Sequence, residues 1–104
     1  MSRTFIDQLQ DLKDKLARMS AMVQQLVEKS VDALYACDGP LAPSMIESDI
    51  RIDDEEVKIE QQAINLLALH QPAASDLRLI TTVIKVNADL ERIADCAVNI
   101  AQRV

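Results

Sequence analysis

Apolar residues recur along the chain with the spacing of an α-helix. In the first segment the steps alternate between three and four residues, broken only by Ser30, through Phe5, Leu9, Leu12, Leu16, Met19, Val23, Leu26, Ala33 and Cys37. This spacing places them on one stripe and predicts an amphipathic helix over residues 3–38. We expect the helix to end at Asp38-Gly39-Pro40, because glycine readily adopts the left-handed conformation after a helix and proline cannot continue the hydrogen bonds.

Prolines delimit two further helices. The second is predicted over residues 41–69, because Pro40 and Pro43 are acceptable in a first turn, where backbone N–H groups lack partners in any case. Pro72 pushes the residue before it out of the helical region and is itself a suitable opening residue, so the third helix is predicted over 72–103. The predicted fold class is all-α, an antiparallel three-helix bundle forming one domain over residues 1–104.

Composition and charge narrow the class of protein. Hydrophobic residues make up 49% of the 104 residues but aromatic residues only 2%, and there are one glycine and three prolines. These values suit helices packed on helices and leave few turn residues for a β-sheet protein. The formal net charge of −6 argues against a nucleic-acid partner. Because the sequence has no apolar run typical of a signal peptide or transmembrane helix, we expect a cytoplasmic protein.

Few residues are available for enzyme chemistry. A lone histidine, His70, cannot build a Ser/His/Asp or Cys/His catalytic set, and one glycine cannot build a phosphate loop. A ferritin-like di-iron oxidase needs Glu-x-x-His pairs, but Leu67 stands three residues before His70. We therefore expect no enzyme activity and predict a loop or capping role for His70. Cys37 and Cys96 lie far apart, and we interpret them as reduced, buried or half-buried side chains.

Carboxylates occupy positions on the second helix where a plain apolar core is expected. A projection at about 100° per residue predicts a solvent arc of Glu47, Arg51, Asp54, Glu55, Lys58, Gln61, Gln62 and Asn65. The opposite arc carries Asp49, Asp53, Glu56 and Glu60 between two rows of apolar residues. We expect this carboxylate stripe to run through the middle of the buried side.

The third helix repeats the anomaly and completes two carboxylate pairs. Glu91 and Asp95 are four residues apart, as are Asp49 and Asp53. Neighbouring like charges destabilise a helix, and a buried, unpartnered carboxylate costs several kcal/mol. Because the lysines and arginines of both helices point mainly to solvent, a metal cation is the better candidate for the missing charge. Carboxylates with the same spacing also occur on ordinary solvated helices, so the residues alone leave both interpretations open.

Oxygen ligands suggest which metals would bind. They favour hard or intermediate cations such as iron, manganese or magnesium over zinc, which typically binds cysteine and histidine. Asn87 and Asn99 are candidate supporting groups beside the pairs, together with Glu56 of the carboxylate stripe.

Two stretches of the third predicted helix and the turn before it form a recognisable motif: Gln-Pro-Ala-Ala-Ser-Asp-Leu-Arg-Leu-Ile (71–80) and Ala-Asp-Leu-Glu-Arg-Ile-Ala-Asp (88–95). They resemble the signature of the PhoU family, whose members regulate bacterial phosphate uptake. The Asp-Ile-Arg-Ile-Asp stretch (49–53) stands where that family has its first acidic x-x-x-Asp motif. Ala94 replaces a glycine that is common in the second motif. The resemblance covers all three predicted helices.

The resemblance implies a site and an assembly. Family members usually contain two three-helix repeats, each with a pair of Glu/Asp-x-x-x-Asp motifs that can hold iron or other metals. On this resemblance the metal ligands are Asp49, Asp53, Glu91 and Asp95. The expected metal is iron, with manganese, magnesium or zinc as alternatives. This chain corresponds to one repeat, so we expect either one of two repeats of a longer protein or half of a homodimer.

The resemblance also implies regulation rather than catalysis. PhoU-like proteins connect the ATPase of the phosphate ABC transporter to the sensor histidine kinase of the phosphate two-component system, so those two proteins are the expected partners. Membrane association would be peripheral, through the transporter. Two alternatives stay open at this point: a metal-binding or purely structural helical module, and an accessory protein of another phosphate transporter.

Overall fold

The computed structural model describes residues 3–36 and 43–102 as three α-helices. They are α1 (Arg3–Ala36), α2 (Pro43–His70) and α3 (Ala74–Gln102), and each packs against the other two. The bundle measures 54 × 19 × 16 Å. At 1.5 Å per residue a helix of the length of α1 spans about 51 Å, so this helix extends over nearly the whole bundle. The predicted all-α three-helix bundle is confirmed.

The helix boundaries differ from the prediction at the turn between α2 and α3. α2 continues through His70, and Gln71 has a φ of 43°, the left-handed conformation that ends many helices. The Gln71 N–H donates to the Leu67 carbonyl at 3.3 Å, which caps the last turn. The prediction that Pro72 opens the third helix is wrong, because α3 begins at Ala74. The predicted turn at 38–40 and the predicted first residues of α2 lie outside the described residues.

Cross-helix hydrogen bonds define the directions of the helices. Gln8 of α1 contacts His70 at the end of α2, whereas Lys15, seven residues further along α1, contacts Gln62. Partner numbers fall on α2 as they rise on α1, so these helices are antiparallel. The Asn87 side chain donates to the Glu56 backbone carbonyl at 2.9 Å and ties α3 to α2.

Buried residues recur every seven positions and form layers along the bundle. The buried series are Leu12, Met19 and Leu26 on α1, Ile52, Ile59 and Leu66 on α2, and Ile80, Asn87, Ala94 and Ala101 on α3. A seven-residue repeat keeps one seam of each helix facing its neighbours. Asn87 is the polar member of this repeat and is fully buried. Because its hydrogen bond needs one alignment of α3 against α2, it specifies their register.

The bundle leaves part of its apolar surface uncovered. On α2 the row formed by Ile46, Ile50, Val57 and Ile64 is 45–62% exposed, although the row facing the core is buried. Cys96 is exposed and free, so the expected burial of this thiol is wrong, and Cys37 lies outside the described residues. None of the three helices, over the residues described, combines the length and apolar character needed to cross a bilayer.

Candidate metal centre between two helices

Three carboxylates from two helices converge in the groove between α2 and α3. Asp49 and Asp53 come from adjacent turns of α2 and Asp95 comes from α3, and one oxygen from each lies within 4.8 Å of the others. Oxygen ligands bind hard cations at about 2.0–2.6 Å, so oxygens on opposite sides of one ion are about 4–5 Å apart. The three carboxylates therefore lie at distances that suit a single cation.

The carboxylate stripe lies at the edge of the core, not in its middle. Asp53, Glu60 and Asp95 are exposed, and Asp49 and Glu56 are partly buried. The apolar row on one side of the stripe is buried and the row on the other side faces solvent. The prediction of a stripe through the buried side is therefore wrong. At the edge of the bundle the carboxylates retain contact with water, which avoids most of the cost of burying charge.

Asp49 is the least satisfied ligand candidate. Its Oδ1 atom is buried and accepts no hydrogen bond. Burial raises the pKa of Asp49, and the charges of Asp53 and Asp95 raise it further. Burial also raises the pKa of Asp53, again with a contribution from Asp95. An orphaned acceptor beside two other carboxylates is an arrangement that a cation would stabilise.

Glu91 contacts the cluster through Asp95. Burial, a hydrogen bond with Asp95 and repulsion from the carboxylates of the groove raise the pKa of Glu91 to about 7. The Glu91 carboxyl therefore holds a proton for much of the time at neutral pH. The three-oxygen cluster does not include Glu91. Of the four predicted ligands, three carboxylates therefore converge and Glu91 lies beside them.

The predicted supporting residues have different surroundings. Glu56 has its pKa raised by burial and by Glu60 and Asp53. Asn87 uses its amide N–H to hold the Glu56 backbone, and its buried Oδ1 accepts no hydrogen bond. Asn99 is exposed, one turn beyond Asp95 on the same side of α3.

The groove holds no positive side chain that neutralises these acids. In the part of the chain that the structure describes, the ion pairs are Lys15 with Asp11, Lys58 with Glu55, and Arg92 with Asp89. None of them involves the carboxylates between α2 and α3. The donor set fits a hard cation, because all three converging atoms are carboxylate oxygens and one neighbouring oxygen is left without a donor.

The fold and these motifs can be compared with known proteins. Residues 16–104 match the PhoU domain, which covers most of the chain and all the converging carboxylates. The chain belongs to the PhoU family. The resemblance in its acidic motifs and in the Gln-Pro stretch is thus confirmed as a family relationship.

Individual PhoU relatives match over nearly the whole chain. Proteins from Aquifex aeolicus, Pseudomonas aeruginosa and Rhizobium meliloti, each called a phosphate-specific transport system accessory protein PhoU homolog, are 41%, 40% and 41% identical to it. The matches cover 92%, 99% and 96% of this chain but 43%, 43% and 42% of those proteins. The PhoU-type chain described here therefore spans about two fifths of their length.

A second charged groove borders α2 and was not predicted from the sequence. Arg51 and Lys58 belong to the predicted solvent arc, but they line a groove opposite Lys15 and Arg18 of α1. Three-residue spacing on α1 and seven-residue spacing on α2 place each pair on one side of its helix. That spacing was the available signal, although only the packing of α1 on α2 brings the two pairs together.

Proposed function

We propose that this chain is one three-helix repeat of a regulator of phosphate uptake and that its α2/α3 groove binds a metal cation. The observation that carries the proposal is the convergence of Asp49, Asp53 and Asp95, which form no ion pair with any described residue. Membership of the PhoU family and the names of the relatives support the link to phosphate transport.

The proposed ligands divide into inner and supporting groups. Asp49, Asp53 and Asp95 would contact the cation, and Glu91 would join them once its proton is lost. The supporting groups are Asn87, Glu56 and Asn99. Iron is the preferred metal, with manganese, magnesium or zinc as alternatives. When bound, the cation supplies the positive charge that holds α2 and α3 together across their acidic edges. Because Glu91 holds a proton near neutral pH, metal affinity should rise with pH.

The proposed role is that of an adaptor and not of an enzyme. The expected partners are the ATPase of the phosphate ABC transporter and the sensor histidine kinase of the phosphate two-component system. Work at this junction would place the protein in the cytoplasm, with peripheral membrane association through the transporter. A surface of long helices suits the role because it offers extended faces to more than one partner.

A second three-helix unit should cover the outer apolar row of α2. Ile46, Ile50, Val57 and Ile64 are large apolar side chains with about half of their surface exposed, and contiguous apolar patches of this kind mark interaction sites. The occupant would be a twin repeat or, for this chain alone, a second copy in a homodimer. Sedimentation should show a dimer at micromolar concentration, and a stable monomer would count against this part of the proposal.

Metal content tests the site directly. We expect the protein to retain iron or to take up Mn²⁺ with a rise in unfolding temperature, and the Asp53→Ala, Asp95→Ala double variant to lose both responses. The matched control is an Asp54→Ala, Asp89→Ala double variant, which removes two carboxylates from the same helices outside the cluster. Elemental analysis by mass spectrometry and thermal unfolding are the measurements. Equal metal content in all three proteins would refute the site.

The adaptor role needs a separate experiment. The tagged protein, loaded with Mn²⁺ or treated with a chelator, would be used to capture the purified transporter ATPase and the purified kinase domain. We expect both to be retained, more strongly by the loaded protein. Retention of neither protein in either state would refute the adaptor role and leave the metal site intact.

A further inference from the structure

A second groove runs along the opposite edge of α2, where it packs against α1. It is open, has a volume of about 560 Å³, and is lined by the cations Lys15, Arg18, Arg51 and Lys58. Two carboxylates, Asp54 and Glu55, line it as well. The groove therefore has a surplus of two positive charges in a chain whose net charge is −6. This surplus makes it a local exception to the acidic character of the protein.

Two of the four cations lack an ion pair or a side-chain hydrogen bond within the described part of the chain. Lys15 is held by Asp11 at 3.2 Å and donates to the side-chain oxygen (Oε1) of Gln62 at 2.8 Å, and Lys58 lies 3.9 Å from Glu55. In contrast, the side chains of Arg18 and Arg51 form no ion pair or hydrogen bond with any described residue. An arginine guanidinium offers five N–H donors in a planar fork that matches a carboxylate or a phosphate. The groove thus presents two free anion-binding groups.

The cations are spread along the groove instead of being gathered at one point. Arg51 and Lys58 are seven residues apart on α2, which corresponds to about 10 Å along the helix axis. The contact of Lys15 with Gln62 sets the alignment of the antiparallel helices and places Arg18 at the level of Lys58, two turns from Arg51. A compact anion can reach one end of this array but not both. An extended anionic chain can reach both ends.

An apolar side chain lies between the cations. Met22 of α1 is half-buried and forms part of the groove wall. Methionine is unbranched and adapts its shape to apolar side chains from a partner. From the charge and this arrangement we propose that the α1/α2 groove docks an acidic segment of a partner protein, in which two carboxylates two helical turns apart flank an apolar residue.

Charge complementarity would give this contact its selectivity. The carboxylates elsewhere on the chain repel an acidic segment, and the groove attracts it, so the segment has one favourable position. Salt should weaken the contact, because all the charged groups involved are near the surface. The proposal depends only on the α1/α2 groove and is independent of metal binding between α2 and α3.

A labelled synthetic peptide tests the proposal. The probe is a twelve-residue helical peptide with glutamates seven positions apart and a leucine between them, and its control has glutamines in place of the glutamates. Fluorescence anisotropy would be measured with the 104-residue chain at low and at physiological ionic strength. We expect the acidic peptide to bind and the Arg18→Gln, Arg51→Gln double variant to lose about five- to tenfold in affinity.

A charge-matched control distinguishes binding in the groove from a general effect of the net charge of the protein. The Arg78→Gln, Lys85→Gln variant removes the same charge from the exposed side of α3 and should lose less than about twofold, because these groups lie outside the groove. Equal losses in the two double variants would overturn the proposal, as would binding of the glutamine peptide with the same affinity. Displacement of the peptide by millimolar inorganic phosphate, at an ionic strength matched with chloride, would also overturn it in favour of a simple oxyanion site. Circular dichroism would verify that each variant is folded.

Discussion

Carboxylates at the two grooves that flank α2 have pKa values shifted in opposite directions. Beside the α1/α2 groove, hydrogen bonds from Gln62 and from Lys15, which lines the groove, hold the pKa of Asp11 below its usual value. In the α2/α3 groove, burial and neighbouring carboxylates raise the pKa of Asp49, Asp53 and Glu91. At the first groove, Asp11 and Glu55 pair with Lys15 and Lys58. Among the described residues, the converging carboxylates of the second groove pair with no lysine or arginine.

This difference shows how one helix can border two distinct electrostatic environments. Asp53 and Asp54 are consecutive, yet Asp53 joins the acidic cluster and Asp54 lines the basic groove. Adjacent residues of an α-helix point about 100° apart, which is enough to place them on opposite sides of a buried row. The buried row of α2, which includes Ile52 and Ile59, separates the two environments.

Removal of this separating row should have the largest effect. Ile59 is fully buried, so Ile59→Ala should lower the free energy of unfolding by about 2–4 kcal/mol through lost burial and the cavity left behind. Urea denaturation would measure the change. The control is Leu69→Ala, on the same helix, 73% exposed and outside the outer apolar row, which should cost less than about 0.5 kcal/mol. Similar costs for both variants would show that α2 does not pack as described.

The pH dependence of stability should reveal the acidic groove next. Since the pKa of Glu91 is raised from 4.5 to about 7, the folded state keeps a proton in this range that the unfolded state has released. The metal-free protein should therefore lose stability as the pH rises from 4.5 through 7. After allowance for solvent screening, we expect a loss of about 1–2 kcal/mol from Glu91. Urea denaturation across this range, in the presence of a chelator, would measure it.

A variant and a metal should both alter this pH dependence. Glu91→Gln removes the titrating group and should flatten the curve, and added Mn²⁺ should reverse its slope, because deprotonated ligands bind metal more tightly. Asp11 of the other groove should contribute little, since its lowered pKa lies below this range. An unchanged curve for Glu91→Gln would assign the dependence to other residues.

The contact network of the basic groove should have an intermediate effect. Gln62 accepts from Lys15 at 2.8 Å and donates to Asp11 at 3.1 Å and to the Gln8 backbone carbonyl at 3.4 Å, so it links α2 to three residues of α1. Gln62→Ala should lower the free energy of unfolding by about 1 kcal/mol. Gln61→Ala is the matched control, because within the described region the Gln61 side chain bonds only to Asn65 on its own helix. If both variants cost the same, the cross-helix bonds contribute nothing.

The smallest expected effect compares two consecutive aspartates directly. Without metal, Asp53→Asn should stabilise the protein by about 0.5 kcal/mol, because it relieves repulsion in the acidic cluster. Asp54→Asn should destabilise it by a few tenths of a kcal/mol at most, because Asp54 lies among cations. If the two variants change the unfolding temperature in opposite directions, the two grooves differ in their electrostatic environment. A common sign would mean that the two sides of α2 share one electrostatic environment.

Several features of the fold and the site follow from local sequence. The three helices follow from apolar spacing, because a side chain can be buried only if it recurs on one side of the helix. The carboxylate pairs follow equally directly, because residues four apart always lie on adjacent turns. Sequence could not show that Gln71 would end α2 in a left-handed conformation and leave Pro72 outside α3. That turn depends on how two packed helices are joined.

Relations between helices were decided only by the tertiary structure. Asp95 joins Asp49 and Asp53 while Glu91 stays outside the cluster, because the register of α3 against α2, marked by the Asn87 bond, decides which turns meet. The stripe lies at the edge of the core because α3 covers only one flank of it. The basic groove likewise exists only where α1 packs on α2. Spacing along one helix defines its faces, but the packing of neighbouring helices determines which faces are buried and which charges meet.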